Sequence, residues 1–260
     1  MTDGNIVGSI DVAEIALTLF FLFFVGLVFW LRREDRREGY PLEDEMTGLV
    51  EAPGGPLQDA EPKFFRLPFD RGIKAVPNFR EREPVNIAAE RFEPYGGSPY
   101  MPTGNPLVDG IGPAAYANRA KYPDLDAHGH VRIVPMSADD NLEVVSMVIP
   151  ELSNDPRGMS VIAADGKVAG TVADMWVDRA ESVVRYLAVD IGAKTVLAPM
   201  TMARIWGGKV YLDAINAADY EGVPAVAGAA EITRYEEERI VAYFGGGYLY
   251  ANRDRQEPCV

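Results

Sequence analysis

The sequence predicts a single N-terminal transmembrane α-helix, a long irregular proline-rich segment, a mainly β domain and one further helix near the C-terminus. Three observations carry this. Ile15–Leu31 is a run of 17 residues without a charge; twelve of the 19 prolines fall between Pro41 and Pro113; and short apolar runs separated by Gly and Asp follow from Ser160 onward.

A helix rises ~1.5 Å per residue and the hydrocarbon core is ~30 Å thick, so about 20 residues span it. Val12–Leu31 has that length, with Glu14 near one end and Thr18 able to bond its own backbone carbonyls. A basic stretch, Arg32-Arg33-Glu34-Asp35-Arg36-Arg37, follows the run, whereas Asp3, Asp11 and Glu14 precede it without any Lys or Arg. This asymmetry predicts an N-terminus outside and the rest of the chain in the cytoplasm. A cleaved signal peptide would place its basic residues ahead of the run and small residues after it. The helix is expected to extend from 12 to about 37 and to end at Gly39-Tyr40-Pro41.

Residues 38–115 lack helical periodicity, and only Phe64–Leu67 and Ile73–Val76 read as strands. The stretch is nonetheless rich in Phe, Tyr, Leu and Ile, unlike a disordered segment. It is expected to be ordered by lying against a large partner at the membrane surface.

Strands are predicted at Ser160–Ala164, Lys167–Val177, Val183–Ile191, Thr195–Pro199, Ala203–Trp206 and Lys209–Leu212, with turns at Asp165-Gly166 and Gly207-Gly208. Short strands at this spacing indicate a small antiparallel barrel or sandwich. Ala230–Tyr243 reads as a helix ended by Gly245-Gly246-Gly247, and the polar tail 252–260 is expected to fray. The expected division is 1–11, 12–37, 38–115, 116–251 and 252–260.

The formal charge is −14, of which −11 lies beyond residue 31. Such acidity excludes a nucleic-acid binder, which needs a basic surface. The single cysteine, Cys259, excludes an internal disulfide or a cysteine-based zinc site. There is no P-loop, no dinucleotide fingerprint, no nucleophile elbow and no C-x-x-C, so no independent enzyme active site is expected.

Several ordered pieces carry a resemblance. They are Arg37-Glu38-Gly39-Tyr40-Pro41-Leu42-Glu43, Pro102-Thr103-Gly104 with Asp109-Gly110-Ile111-Gly112-Pro113-Ala114, and Asp124-Leu125-Asp126-Ala127-His128-Gly129-His130. Gly166-Lys167-Val168, Met175-Trp176-Val177-Asp178, Pro199-Met200 and Gly246-Gly247-Tyr248-Leu249-Tyr250-Ala251 continue the series. Together, over about residues 10–251, the chain resembles the H-subunit family of the photosynthetic reaction centre of purple bacteria. The resemblance implies a PRC-type β-barrel, partners in the L and M subunits, and a non-catalytic role in capping their cytoplasmic face and passing protons to the secondary quinone. It implies that bacteriochlorophyll, bacteriopheophytin, quinones and a non-haem iron reside on other subunits, that a cytochrome subunit and light-harvesting antenna proteins share the complex, and that the complex lies in the bacterial inner, intracytoplasmic membrane.

Asp126, His128 and His130 alternate, so on an extended segment all three face one side. The residues alone leave open a surface turn or a proton- or metal-binding cluster. The resemblance implies a proton entry region there, where zinc-like ions would inhibit rather than serve as cofactors. Asp178 and Glu181, with Arg185 four residues after Glu181, read either as a strand-end ion pair or as a carboxylate relay. The resemblance favours the relay, with Asp174 a weaker candidate. Arg32, Arg33, Arg36 and Arg37 fix topology and are candidates for anionic lipid headgroups. The Phe20, Phe23, Phe24 and Gly26 faces read as helix and lipid contacts rather than a pigment pocket, because both histidines, His128 and His130, lie outside the span. Asn105 stands where the family carries an aspartate. The rival reading is a membrane-anchored PRC-barrel adaptor or assembly protein that binds a soluble partner.

Overall fold

The computed structural model describes residues 5–7, 10–37, 61–76, 87–95, 98–138 and 155–255. The predicted helix stop at Gly39-Tyr40-Pro41, the segment 139–154 and Cys259 lie outside the described residues. The chain forms two compact units, one from residues 1–85 with 93–99, the other from 86–92 with 100–260.

In the first unit a short ladder pairs β1 (Asn5–Val7) with β2 (Ile10–Asp11). Helix α1 spans Val12–Glu34 and continues as a 3-10 turn over Asp35–Arg37. Asp11 caps its start, accepting from the Glu14 amide at 2.8 Å, and satisfies one of the donors that a helix N-terminus leaves unpaired. No residue of α1 is buried within the chain. A helix apolar all round and uncovered by its own protein suits lipid. The two extended pieces predicted near residue 70 form a hairpin, β3 (Lys63–Arg66) and β4 (Ile73–Val76), paired Lys63 to Val76 through Arg66 to Ile73.

The second unit opens with a hairpin of β5 (Ala89–Arg91) and β6 (Tyr100–Pro102), then one helical turn, α2 (Pro106–Asp109), capped by Asn105. Its core sheet contains β7 (Ile133–Pro135), β8 (Ser160–Ile162), β9 (Val168–Asp178), β10 (Val183–Asp190), β11 (Thr195–Pro199), β12 (Arg204–Trp206) and β13 (Lys209–Tyr211). The order is β11-β10-β9-β8-β13-β12, with β7 added to the far half of β9. The predicted turns are present: Gly166, Gly207 and Gly208 all adopt positive φ, where a Cβ would be strained. The expectation of a wholly antiparallel sheet is corrected at one place. β13 runs parallel to β8, because the intervening strands carry the chain round before it returns beside Ser160–Ile162. Val161, Val172, Leu187, Val189, Val210 and Leu212 are fully enclosed between the sheet and the C-terminal elements.

Helix α3 covers this core over Arg234–Tyr250. It begins four residues later than predicted because Thr233 and Glu236 form a reciprocal capping box, with the Glu236 amide donating to Thr233 at 3.2 Å and the Thr233 amide donating to Glu236 at 2.8 Å. The predicted stop at Gly245-Gly246-Gly247 is also corrected, since the helix runs through all three. These glycines serve contact rather than termination. A Cβ on Gly246 would lie 2.9 Å from the Ala114 Cα, and one on Gly247 would lie 2.6 Å from the Ala214 carbonyl oxygen. Of the tail expected to fray, Arg255 is tied back by donating to the Ala214 carbonyl at 3.3 Å, and the Ala251 carbonyl just ahead of the tail accepts from Asn216 at 2.6 Å.

Candidate functional site

One small hairpin, Asp124–Arg132, carries Asp126, His128 and His130 at its tip and reaches Asp178 and Glu181 from its base. Leu125 and Val131 bridge its two arms, and the Arg132 amide donates to the Asp124 carbonyl at 3.0 Å. Asp126, His128 and His130 form its tip, which is a tight turn and not the extended run expected. Gly129 takes φ +88, and the Asp126 carboxylate closes the turn by accepting from the His128 amide at 2.8 Å and the His130 amide at 2.9 Å. An Asp side chain that satisfies amides two and four residues on favours such a turn over a strand. The His130 amide bond, opposed by partial burial and aided by the His128 amide, holds the Asp126 carboxyl below the usual carboxylate range. His130 Nδ1 lies 3.3 Å from the second Asp126 oxygen, and the two imidazoles stand 6.3 Å apart. Among the described residues no group of three His, Cys, Asp or Glu side chains is arranged to hold a metal ion.

The base of the hairpin carries Arg132, which the sequence reading missed. Its guanidinium forks onto Asp178, Nη2 at 2.6 Å and Nε at 3.3 Å, and also reaches Glu181 at 2.9 Å and Asp124 at 3.4 Å. The Asp178 side chain is 1% exposed. Its Oδ1 also accepts from the Ala180 amide at 3.0 Å and the Glu181 amide at 3.3 Å. A buried carboxylate needs this degree of pairing to be tolerated. The Asp178 hydrogen bond above all, against some loss of hydration, raises the Arg132 pKa above its ordinary value. The signal available in the sequence was parity: Arg132 lies two residues beyond His130 and immediately before a strand that pairs with Asp178.

Arg185 was expected beside Glu181 and is directed elsewhere. Pairing of β10 with β9 skips from Val184–Val177 to Tyr186–Trp176, so Arg185 is the extra residue of a bulge, a feature that re-aims side chains. It lines a cleft of about 560 Å³ with Arg119, Arg234, Tyr186, Glu237 and Glu238. Tyr186 donates to Glu237 at 3.0 Å, and Arg119 pairs with Glu238 at 3.3 Å.

Burial, more than any neighbour, raises the Glu237 carboxyl above its ordinary 4.5; the Tyr186 bond and Arg185 oppose this, while Asp124 and Asp178 add to it. A carboxyl raised by folding contributes stability that is complete below the unfolded value and is lost as pH rises through the folded value. Glutamine at this position has no proton to lose and can still accept from Tyr186. Wild type is therefore expected to lose stability relative to Glu237→Gln as pH rises above about 4.5, measured as urea midpoints of the full chain in mild detergent across pH 4 to 8. Parallel pH profiles for the two would refute it.

Asp174, the weaker relay candidate, accepts from the Ser137 hydroxyl at 2.6 Å and so braces the turn after β7. Asn105 caps α2, accepting from the Leu107 amide at 3.1 Å. Of the four membrane-proximal arginines, Arg32 lies 3.5 Å from Asp35, and Arg37 is drawn inward onto Glu34 at 2.8 Å and the Val76 carbonyl at 3.2 Å. Arg33 is exposed and Arg36 half-buried.

One lipid-suited helix, a β domain packed by a C-terminal helix and a carboxylate–arginine–histidine hairpin fit the class of single-pass membrane subunits. The chain belongs to the H-chain family of the photosynthetic reaction centre: the family model for the photosynthetic reaction centre H-chain N-terminal region matches residues 4–138, just over half of the chain. A second model, for the PRC-barrel domain, matches residues 151–219. Arg132 lies in the first match and Asp178 and Glu181 in the second, so the cluster joins the two. The chain is thus a reaction-centre subunit that associates with other subunits of that complex.

Proposed function

We propose that this subunit caps the cytoplasmic face of the L and M subunits, keeps the quinone sites rigid and dry, and conducts protons to the reduced secondary quinone. The observation that carries the reading is the Asp124–Arg132 hairpin. It bears titratable groups at its exposed tip and reaches the Asp178–Glu181 pair at its base, about 7 Å further along at ~3.3 Å per residue. A proton delivered at His128 or His130 has the Asp126 carboxylate beside it at the tip and the Asp178–Glu181 pair at the base of the same hairpin. Arg185 contributes from the adjoining cleft by setting the field around Glu237.

In this reading the chain carries no catalytic centre and no pigment of its own. Bacteriochlorophyll, bacteriopheophytin, quinones and the non-haem iron sit on neighbouring subunits, and a cytochrome subunit and antenna proteins complete the assembly. The N-terminus is periplasmic, the β domain is cytoplasmic, and the membrane is the bacterial inner, intracytoplasmic one. Residues 38–115 lie along the L and M subunits, and Arg32, Arg33, Arg36 and Arg37 meet anionic headgroups.

Replacing Asp178 with Asn together with Glu181 with Gln tests the relay. In the assembled complex the first flash-induced electron transfer between the quinones is expected to persist. The proton-coupled second transfer is expected to slow by about 10²-fold, the lower end of the range for a positioned proton-transfer group. An unaltered second rate rejects the relay.

A further inference from the structure

We propose that the β3–β4 hairpin is a second membrane-contacting element, whose outer face lies in the interfacial layer and takes the phosphates of anionic phospholipid. This goes beyond the proton-conducting role and does not depend on it.

The strand register sorts the hairpin into two faces. Opposed residues of an antiparallel pair share a face, and neighbours along a strand alternate. Lys63, Phe65, Lys74 and Val76 share the inner face. This face meets the end of α1: Lys63 Nζ lies 2.6 Å from Glu34, Arg37 donates to the Val76 carbonyl at 3.2 Å and also to the Glu61 carbonyl, and Phe65, Lys74 and Val76 line a pocket with Glu34, Asp35 and Arg37. The other face presents Phe64, Arg66, Ile73 and Ala75. Phe64 is 74% exposed and Ile73 is 71% exposed. At the turn Phe69, also exposed, has Arg71 over its ring at 5.9 Å.

An isolated two-stranded hairpin is marginal in water, and one with an uncovered apolar face needs a cover. Two features select the bilayer interface. The first is position. The hairpin is fastened to Glu34, three residues beyond Leu31 and therefore ~4.5 Å further along the axis, at headgroup depth. The second is charge. On the outer face and the turn Arg66 and Arg71 outnumber Asp70, in a chain whose net charge is −14, and they stand among Phe64, Phe69 and Ile73. Aromatic rings beside Lys and Arg are the composition that settles at a lipid–water boundary, and each basic residue near an anionic surface adds to the attraction. The Arg66–Asp70 pair, 3.6 Å apart and almost fully exposed, is too weak to withhold Arg66 from a phosphate.

The test uses a nitroxide at Phe64→Cys or Ile73→Cys in a Cys259→Ser chain, in the complete reaction centre reconstituted into vesicles. Collision rates with oxygen and with a water-soluble nickel chelate are compared in phosphatidylglycerol and in phosphatidylcholine vesicles. Expected is a label accessible to oxygen and shielded from nickel in phosphatidylglycerol, with nickel access rising at least threefold in phosphatidylcholine or on adding Arg66→Glu and Arg71→Glu. A label open to nickel in both lipids overturns the proposal. A label shielded from both reagents, whatever the lipid, also overturns it and assigns the face to a protein neighbour.

Discussion

Arg132→Met is expected to destabilise the β domain by about 3–5 kcal/mol, the cost of stranding a buried ionised group. Asp178 is the reason. Its carboxylate is enclosed, and the Arg132 fork is the one ion pair it makes among the described residues. Methionine fills similar volume, so lost packing contributes little. Adding Asp178→Asn should recover most of the loss, because Asn retains an acceptor for the Ala180 and Glu181 amides and carries no charge. Near-ultraviolet circular dichroism melts of the full chain in detergent would measure both variants. A single variant within about 0.5 kcal/mol of wild type, the size of an ordinary surface change, would remove Arg132 from the centre of the cluster.

Phe244→Ala is expected to cost a similar amount, about 3–5 kcal/mol, by opening a cavity that the core cannot close. Phe244 is fully buried on α3, with its ring edge-on to Tyr220 at 5.8 Å and to Tyr243 at 6.3 Å. Tyr243 is fixed in turn by a 2.7 Å bond from its hydroxyl to the Asp219 carbonyl, so the neighbours have little room to collapse inward. Denaturant midpoints read the change, and Phe244→Leu should recover more than half of it. A shift below about 1 kcal/mol for the alanine variant would mean that α3 does not seal the core of the β domain.

The parts of the fold that were legible in the sequence are those set by local chemistry. The apolar run Ile15–Leu31, the Asp165-Gly166 and Gly207-Gly208 turns and the alternation through Val183–Asp190 each depend on residues a few positions apart. The parts that were not legible depend on distant partners. Gly245-Gly246-Gly247 reads as a helix stop by propensity, yet tertiary contact with Ala114 and Ala214 makes bare backbone the requirement there. For Arg132 the local sign was parity with His130 alone, and its partner could not be read because Asp178 lies 46 residues away. The bulge at Arg185 likewise arises between strands, and spacing along one strand carries no trace of it. At the histidine tip the motif was visible, but strand periodicity was the wrong geometry for it. The Asp126 side chain competes for its own backbone amides and folds the segment back.

The parallel ladder between β8 and β13 sets a timetable for biogenesis. Lys209 must find Ser160 across 49 positions, and that pairing cannot form before Tyr211 has left the ribosome. At about 5–20 residues per second, the ~177 residues from the end of α1 to Tyr211 take roughly 10–35 s to synthesise. The anchor therefore reaches the translocon while the sheet is still open. The free edge of nascent β8 then waits, tethered to the bilayer, within reach of any chaperone or sister subunit assembling there.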